Sequence, residues 1–274
     1  MLTSLLLGEK DGVERCIFLG LELVGRKFSS RSVAAISCDT NALHWRAHLQ
    51  SLCAVEARGE EAMRRAAMPW VALPAAQLVE TLQQLRWRSD PESSPARDLA
   101  ALMIYVAFLF VRAERTIEDV DPQGQTIEKK EWCVSMSYDE LEKATDLSRS
   151  LIAQGIKRLV SLQLVTPIGS SQQREYVLPS QPGRWVKLPC RAVFKQGEII
   201  PFKSLSLRSK HDLHALKLYL YLASVRDGQR AYSEAQYETI KDRLGIQVRD
   251  IRKAISVLIT CGLLQQVDRS GTQQ

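Results

Sequence analysis

The sequence predicts a mainly α-helical protein with small β ribbons, an α+β fold class, built as two similar halves after an N-terminal α/β accessory region. One observation is the stretch 137–165, where two short amphipathic helices and a strand follow one another closely. The other is an internal repeat, because WVALP at residues 70–74 returns as WVKLP at residues 185–189. Two copies of one packed unit are therefore expected.

The stretch 137–165 predicts two helices joined by a tight turn. Ser137 is a good N-cap, and Glu140 three residues later completes a capping box. Thr145 and Asp146 break the first helix, and Ser148 caps the second. The apolar positions of the second helix fall on one face at helical spacing: Leu151, Ile152, Ile156, Leu159 and Val160.

A two-stranded ribbon is predicted to follow this second helix. Gln163 closes the helix, residues 164–166 begin a strand, and residues 174–178 return as its partner. The order helix, turn, helix and ribbon resembles the winged helix-turn-helix family. That resemblance implies two pseudo-repeated winged-helix domains with small β wings, whose second helices commonly enter the major groove of DNA.

The second copy is recognised by its apolar positions. Residues 233–245 look like a helix that ends at the turn glycine Gly245, and residues 246–261 look like the second helix, stopped by Gly262. Residues 263–267 are the predicted strand after it. Ile251, Ile255 and Leu258 match Ile152, Ile156 and Leu159, whereas the solvent-facing residues differ between the copies.

Each half also contains a long apolar helix, predicted over residues 98–115 and 212–226. These helices have little polar surface, so each is expected to lie at the centre of its domain. The breaker-rich residues 179–183 separate the two predicted domains, residues 67–180 and 181–274. Residues 1–66 are the accessory region, with predicted strands at 16–24 and 32–38 followed by helical pieces.

The halves differ by an insertion in the first, residues 114–136. Its turn signal at 121–124 predicts a hairpin between residues 116–118 and 126–128. Its acidic residues would repel phosphates, so the insertion is expected to point away from nucleic acid or to meet a protein partner. A plain solvated loop is the equal alternative. Residues 1–66 are the other candidate for contact with a protein partner.

Composition favours a soluble cytoplasmic protein with an anionic partner. The net charge is +6 and the pI about 9.0, although a basic balance also serves simple solubility. The six cysteines show no C-x-x-C spacing, which fits reduced thiols rather than disulfides or zinc. No apolar window suits a signal peptide or a membrane span.

No catalytic signature is present, so the chain is expected not to be an enzyme and to need no cofactor. The P-loop, H-E-x-x-H and G-x-S-x-G patterns are all missing from the sequence. His211 and His214 miss the His-hydrophobic-His motif of rolling-circle nicking enzymes, because two residues separate them. His44 and His48 lie one helical turn apart, but a third metal ligand at a recognisable spacing is lacking.

Double-stranded DNA is the expected partner. The N-terminus of the helix at Ser148 offers unpaired N–H groups to a phosphate, and cations follow along both second helices. Residues 184–230 contain ten Lys or Arg against three Asp or Glu. The predicted contacts are Ser148, Arg149, Ser150, Gln154, Lys157, Arg158 and Arg174 in the first copy, and Lys241, Gln247, Arg249, Arg252 and Lys253 in the second.

Tandem winged helices resemble the replication initiators of plasmids and other mobile elements, over roughly residues 70–267. The resemblance implies sequence-specific binding to duplex DNA without chemistry, as an initiator or a transcriptional regulator. The alternative is the class of tandem winged-helix subunits that act as protein adaptors for chromosome-condensing ATPases. The basic balance disfavours that class, and the acidic insertion favours it mildly.

Overall fold

The computed structural model of the chain describes residues 15–16, 69–88, 94–120, 126–169, 175–179, 185–226 and 232–265. Within these ranges the fold combines α-helices with small antiparallel sheets, in agreement with the predicted α+β class. None of the described helices is both long and apolar enough to cross a membrane. Apart from a strand at Arg15–Cys16, the predictions for residues 1–66, including the pair His44 and His48, lie outside the described residues.

The first half contains most of the strands. The short strand β1 comes first and the long helix α2 lies between two sets of strands. In chain order the elements are β1 (Arg15–Cys16), β2 (Trp70–Pro74), α1 (Ala75–Leu82), α2 (Arg97–Val111), β3 (Ala113–Val120), β4 (Thr126–Val134), α3 (Tyr138–Thr145), α4 (Arg149–Ser161), β5 (Thr166–Ile168) and β6 (Glu175–Leu178).

The second half repeats the helical order with fewer strands. A 3₁₀ helix stands before its long helix, and β10 pairs with β1. In chain order the elements are β7 (Trp185–Pro189), β8 (Phe194–Lys195), β9 (Glu198–Ile199), the 3₁₀ helix Ile200–Ser204, α5 (Lys210–Val225), β10 (Ala235–Gln236), α6 (Tyr237–Leu244) and α7 (Val248–Thr260).

The two helix-turn-helix segments match residue for residue. Helices α3 and α6 each have 8 residues, and α4 and α7 each have 13. The turns also match: Asp146 (φ 59°) occupies the place of Gly245 (φ 65°), and Gln163 (φ 56°) that of Gly262 (φ 76°). A residue with a left-handed backbone conformation follows each helix. Glycine adopts this conformation without strain, and Asp tolerates it. The predicted turn positions are confirmed.

The predicted caps of the first segment are confirmed as well. The Ser137 hydroxyl accepts a hydrogen bond from the Glu140 amide, while the Glu140 carboxylate accepts one from the Ser137 amide. The Ser148 hydroxyl accepts from the Leu151 amide. These bonds satisfy amides that the helix itself leaves without partners, so they fix where α3 and α4 begin.

The repeated WxxLP strands pair with each other. In the antiparallel ribbon β2–β7, Trp70 lies opposite Pro189 and Pro74 lies opposite Trp185, so equivalent residues of the two copies exchange places. Ala72 and Lys187 form the central pair. This register is reciprocal, as in an isologous contact between identical subunits. The repeat is therefore the seam that joins the halves.

Each long helix ends with an arginine that binds its own WxxLP strand. Arg112 donates a hydrogen bond to the Ala72 carbonyl, and Arg226 donates one at 3.1 Å to the Lys187 carbonyl. The predicted first helix, residues 98–115, is wrong at its end, because α2 stops at Val111 and β3 begins at Ala113. A shorter helix lets Arg112 turn back to the ribbon.

A single hydrophobic core runs through both halves. Helices α2 and α5 are buried on nearly all sides; α2 packs on α4, α5 packs on α7, and the two long helices also contact each other. Further contacts join the two halves: α1 touches α6, and β9 touches α3. Gly155 lets α4 lie close to the backbone of α2, because a Cβ at this position would lie 3.1 Å from the Ala100 carbonyl carbon.

The domain limits 67–180 and 181–274 stay a prediction.

The predicted wing is larger than expected. The hairpin of the insertion is confirmed, and it is longer than residues 116–118 and 126–128. Its strand β4 pairs with β6, which makes a four-stranded sheet in the order β3-β4-β6-β5. Tyr176 of β6 stacks on Phe108 of α2 with ring centroids 5.0 Å apart. The insertion is therefore part of the sheet on the core rather than a separate loop.

The second half lacks the corresponding strand over its described residues. Residues 263–265 are not a strand, so the prediction of a strand at 263–267 is wrong as far as the chain is described. Leu263 and Leu264 are buried against the core instead. The predicted helix from residue 233 is also shorter, because Ala235–Gln236 pairs with β1 and α6 starts at Tyr237.

A lysine is buried where the halves meet. Lys217 of α5 is 3% exposed, and its amine donates hydrogen bonds to the carbonyls of Leu85, in the first half, and Leu244, at the end of α6. The repeat places Met103 at the equivalent position of α2. The pKa of Lys217 is lowered to about 8, mainly by burial and also by the charge of Arg86, while Asp98 opposes both. A neutral amine still has two N–H groups for these two carbonyls.

Lys217 is expected to make the stability depend on pH. Between pH 8 and about 10.5 the unfolded chain holds a proton that the folded chain has released, so this residue's contribution to the free energy of unfolding rises with pH. Lys217→Met should abolish that rise. Chemical denaturation of both proteins at pH 7 to 10 measures the difference. Parallel pH curves for the two proteins would contradict this account.

Candidate nucleic-acid interface

The outward face of α4 begins at its N-cap. Ser148, Arg149 and Ser150 are all exposed, so the first turn of α4 is open to solvent. Amides at this end have no helical partners and the helix dipole is positive here, which suits a phosphate. The Ser148 hydroxyl already accepts the Leu151 amide at 3.4 Å, a long hydrogen bond that leaves the oxygen accessible.

Arg149 is exposed but ion-paired. Its guanidinium bonds to Asp139 and lies 4.0 Å from Glu142, both on α3. All three side chains are more than half exposed, and ion pairs of this kind contribute little to stability. A phosphate can replace these carboxylates at a small cost, although their negative charge weakens the attraction at this end of α4.

Gln154 is half-buried and serves the fold. Its side-chain oxygen accepts the Ser94 amide at 2.8 Å, and its side-chain nitrogen lies 3.4 Å from the Ser150 hydroxyl. These bonds tie α4 to the segment before α2. That Gln154 contacts DNA stays a prediction, and its side-chain oxygen is already bonded to the Ser94 amide. Ser150 remains exposed beside it.

Arg158 is also committed to the fold. Its guanidinium donates to the Asp98 carboxylate at 3.1 Å and to the Gln84 carbonyl at 3.1 Å. Asp98 is 3% exposed and also accepts the Arg86 amide at 2.7 Å. A buried carboxylate needs such a partner, so the bond to Asp98 competes with the DNA contact predicted for Arg158. Lys157 next to it is exposed and has no ion-pair partner among the described residues.

The helix α7 presents a denser set of cations. Gln247, Arg249, Arg252 and Lys253 are exposed along it. Asp250 of α7 faces α5 instead of solvent. It is 5% exposed and accepts a hydrogen bond from Lys210 of α5 at 2.8 Å. This ion pair fixes the rotation of α7 and so holds the cations outward. The predicted face of α7 is therefore exposed as the sequence analysis expected.

Lys241 and Arg174 complete the predicted set. Lys241 lies on α6, exposed, in an ion pair of 2.7 Å with Glu238 one turn earlier. It flanks α7 rather than lying on it. Arg174 lies outside the described residues.

The two helix pairs differ in charge. Residues 137–161 contain four acidic and four basic residues, whereas residues 236–260 contain three acidic and five basic ones. Acidic side chains of the first pair lie mainly on α3, where Asp139, Glu140 and Glu142 are exposed. The second pair is therefore the stronger candidate for phosphate contact.

The histidines near α7 are structural. His211 and His214 are at the start of α5, with ring centroids 6.0 Å apart, and the Nδ1 atom of each is buried without a hydrogen-bond partner. Burial lowers the pKa of His214 to about 4, so its ring is neutral at pH 7. The part of the chain that is described holds no group of three or more His, Cys, Asp or Glu suited to a metal.

The sequence analysis missed the residues that position the site. Arg112 and Arg226 each follow a valine at the end of a repeated helix, a match visible in the sequence. Lys217 stands where an apolar residue is expected, which is the signal in the sequence for a buried hydrogen-bond donor.

Comparison with protein-family models, with curated proteins and with solved structures gives no match.

Adjacent residues of α4 should respond differently to truncation. Arg158→Ala leaves the buried Asp98 with fewer partners and is expected to destabilise the fold by about 2 kcal/mol or more. Lys157→Ala changes an exposed residue and should stay within about 0.5 kcal/mol of wild type. Chemical denaturation measures both. Equal stability of the two variants would place Arg158 back on the free surface.

Proposed function

We propose that this chain is a sequence-specific double-stranded DNA-binding protein without catalytic activity, of the replication-initiator or regulator type. In this proposal it consists of two pseudo-repeated winged helices, and α4 and α7 are the recognition helices. The supporting observation is the matched pair of helix-turn-helix segments, in which both second helices bury their apolar face on a long helix and leave polar faces exposed.

The seam between the halves suggests how the DNA site is organised. Equivalent residues of β2 and β7 pair reciprocally, which is the arrangement that a local two-fold axis produces. Recognition helices related in this way read two half-sites in inverted orientation, about one helical turn apart. The exposed residues of α4 and α7 differ, so the half-sites should differ in base sequence.

The distribution of charge suggests how much each half contributes to the affinity for DNA. The cations Arg249 and Lys253 of α7 have no ion-pair partner among the described residues, whereas Arg149 of α4 must leave Asp139 before it can contact DNA. Phosphate contacts release counterions and dominate non-specific affinity. The second half should therefore supply most of the affinity, and the first half mainly selectivity.

Removal of cations from α7 tests this proposal. Arg249→Ala combined with Lys253→Ala should weaken binding to a random duplex about tenfold or more and reduce the salt dependence by about two phosphate contacts. Arg149→Ala should weaken binding less, and neither change should lower thermal stability. Fluorescence anisotropy across a salt titration measures affinity and slope together.

The control is Lys195→Ala, which removes an exposed cation from β8. It should bind duplex as wild type does. Absence of duplex binding by wild type at low salt would contradict the proposal. Wild-type affinity of the double variant would instead show that α7 is not the DNA-binding surface.

A protein-adaptor role is the second candidate. It is favoured by the exposed acidic residues Asp139, Glu140 and Glu142 of α3, and by β3, which forms the edge of its four-stranded sheet. Such an edge can accept a strand from a partner. Recovery of an ATPase partner in a pull-down, with no DNA retained, would support this role over the first.

A further inference from the structure

A tryptophan pair lies on the outer side of the seam ribbon. Trp185 is 57% exposed, the most exposed large apolar side chain among the described residues. Its ring stacks on Trp70, with centroids 5.9 Å apart and planes inclined by 13°. The Lys187 amine lies 4.8 Å from the centroid of the Trp70 ring. Together these three residues form what we call the tryptophan platform.

The alternation of the ribbon explains why the platform faces solvent. Leu73, Val186 and Leu188 point into the core and are buried, so their neighbours in β2 and β7 point outward. The packing of the core therefore does not require an indole at residue 185. Tryptophan is enriched among the residues that contribute most to binding at interfaces, so an exposed indole that the core does not require is a candidate binding residue.

The chemistry of the platform suits an unpaired base with its phosphate. Trp70 covers one part of Trp185, and more than half of Trp185 remains open for stacking. Lys187 is the only charged residue of the two strands, and neither strand contains a carboxylate. Aromatic faces beside a cation bind single-stranded nucleic acid with little sequence preference.

We propose that the tryptophan platform is a second nucleic-acid site, which takes an unpaired base of single-stranded DNA or RNA. The base stacks on Trp185, and the adjoining phosphate pairs with Lys187. This inference rests on the proposed function in that the partner is a nucleic acid. It adds a separate surface for single strands, on the seam rather than on α4 or α7.

Charge favours a nucleic acid over a second copy of the chain. An isologous contact between two ribbons would place each platform against the other and bring two Lys187 amines close together. The described segment that contains β7, residues 185–226, has eight Lys or Arg against two Asp or Glu. Two ribbons that each carry Lys187 and no carboxylate repel each other, whereas each attracts a phosphate backbone.

Binding of a fluorescein-labelled oligothymidylate of about 15 nucleotides tests the proposal. Trp185→Ala should weaken this binding about tenfold, and Trp185→Phe should retain part of the affinity because phenylalanine still stacks. Lys187→Gln should lower the salt dependence by roughly one phosphate contact. The matched control is Ile200→Ala, which removes another exposed apolar side chain (44% exposed) and should leave binding unchanged.

The outcomes separate the two proposals. Trp185→Ala should bind duplex DNA as wild type does, and the double variant of Arg249 and Lys253 should bind duplex more weakly yet keep most single-strand binding. No oligonucleotide binding by wild type, or equal binding by Trp185→Ala, would overturn the platform while leaving the duplex proposal intact. A change from dimer to monomer in Trp185→Ala, with oligonucleotide affinity unchanged, would also overturn it and identify a self-association surface.

Discussion

The antiparallel pairing of β2 with β7 holds the two halves of the described chain together. It joins them through the residues that repeat in the sequence, Trp70–Pro74 and Trp185–Pro189. The long helices α2 and α5 are buried on almost every side and contact each other, so both halves contribute to one core. The two helix-turn-helix segments are consequently held in one fixed relation, set by the shared core.

Charges within this core determine which faces remain outside. Arg158 of α4 is bound to Asp98 of α2, and Asp250 of α7 is bound to Lys210 of α5. Each ion pair ties an outer helix to the start of a long helix, with the signs of the charges reversed between the copies. Rotation of either outer helix would remove an ion-pair partner from a buried carboxylate. Stability and the direction of the exposed cations are therefore linked through the same bonds.

Local features of the sequence predicted local structure well. The capping box at Ser137 and the turn glycines Gly245 and Gly262 follow from neighbouring residues, whereas the start of α6 at Tyr237 was placed too early, at residue 233. The pairing of β2 with β7 and of β4 with β6 was not predictable, because a strand carries no signal of a distant partner. For the same reason the sequence did not show that Asp98 of α2 bonds to Arg158. The predicted residues Gln247, Arg249, Arg252 and Lys253 are exposed, whereas Gln154 and Arg158 of α4 are half-buried.

Hydrogen–deuterium exchange of the full chain, free and bound to duplex DNA, tests whether α4 and α7 contact the duplex together. The first-turn amides of α4 and α7 have few helical partners and should exchange quickly in the free protein. Duplex DNA should protect both of these segments together, while β2 and β7 keep their exchange rates. Protection confined to the hairpin β3–β4, or to one recognition helix with the other unchanged, would contradict simultaneous binding of DNA by α4 and α7.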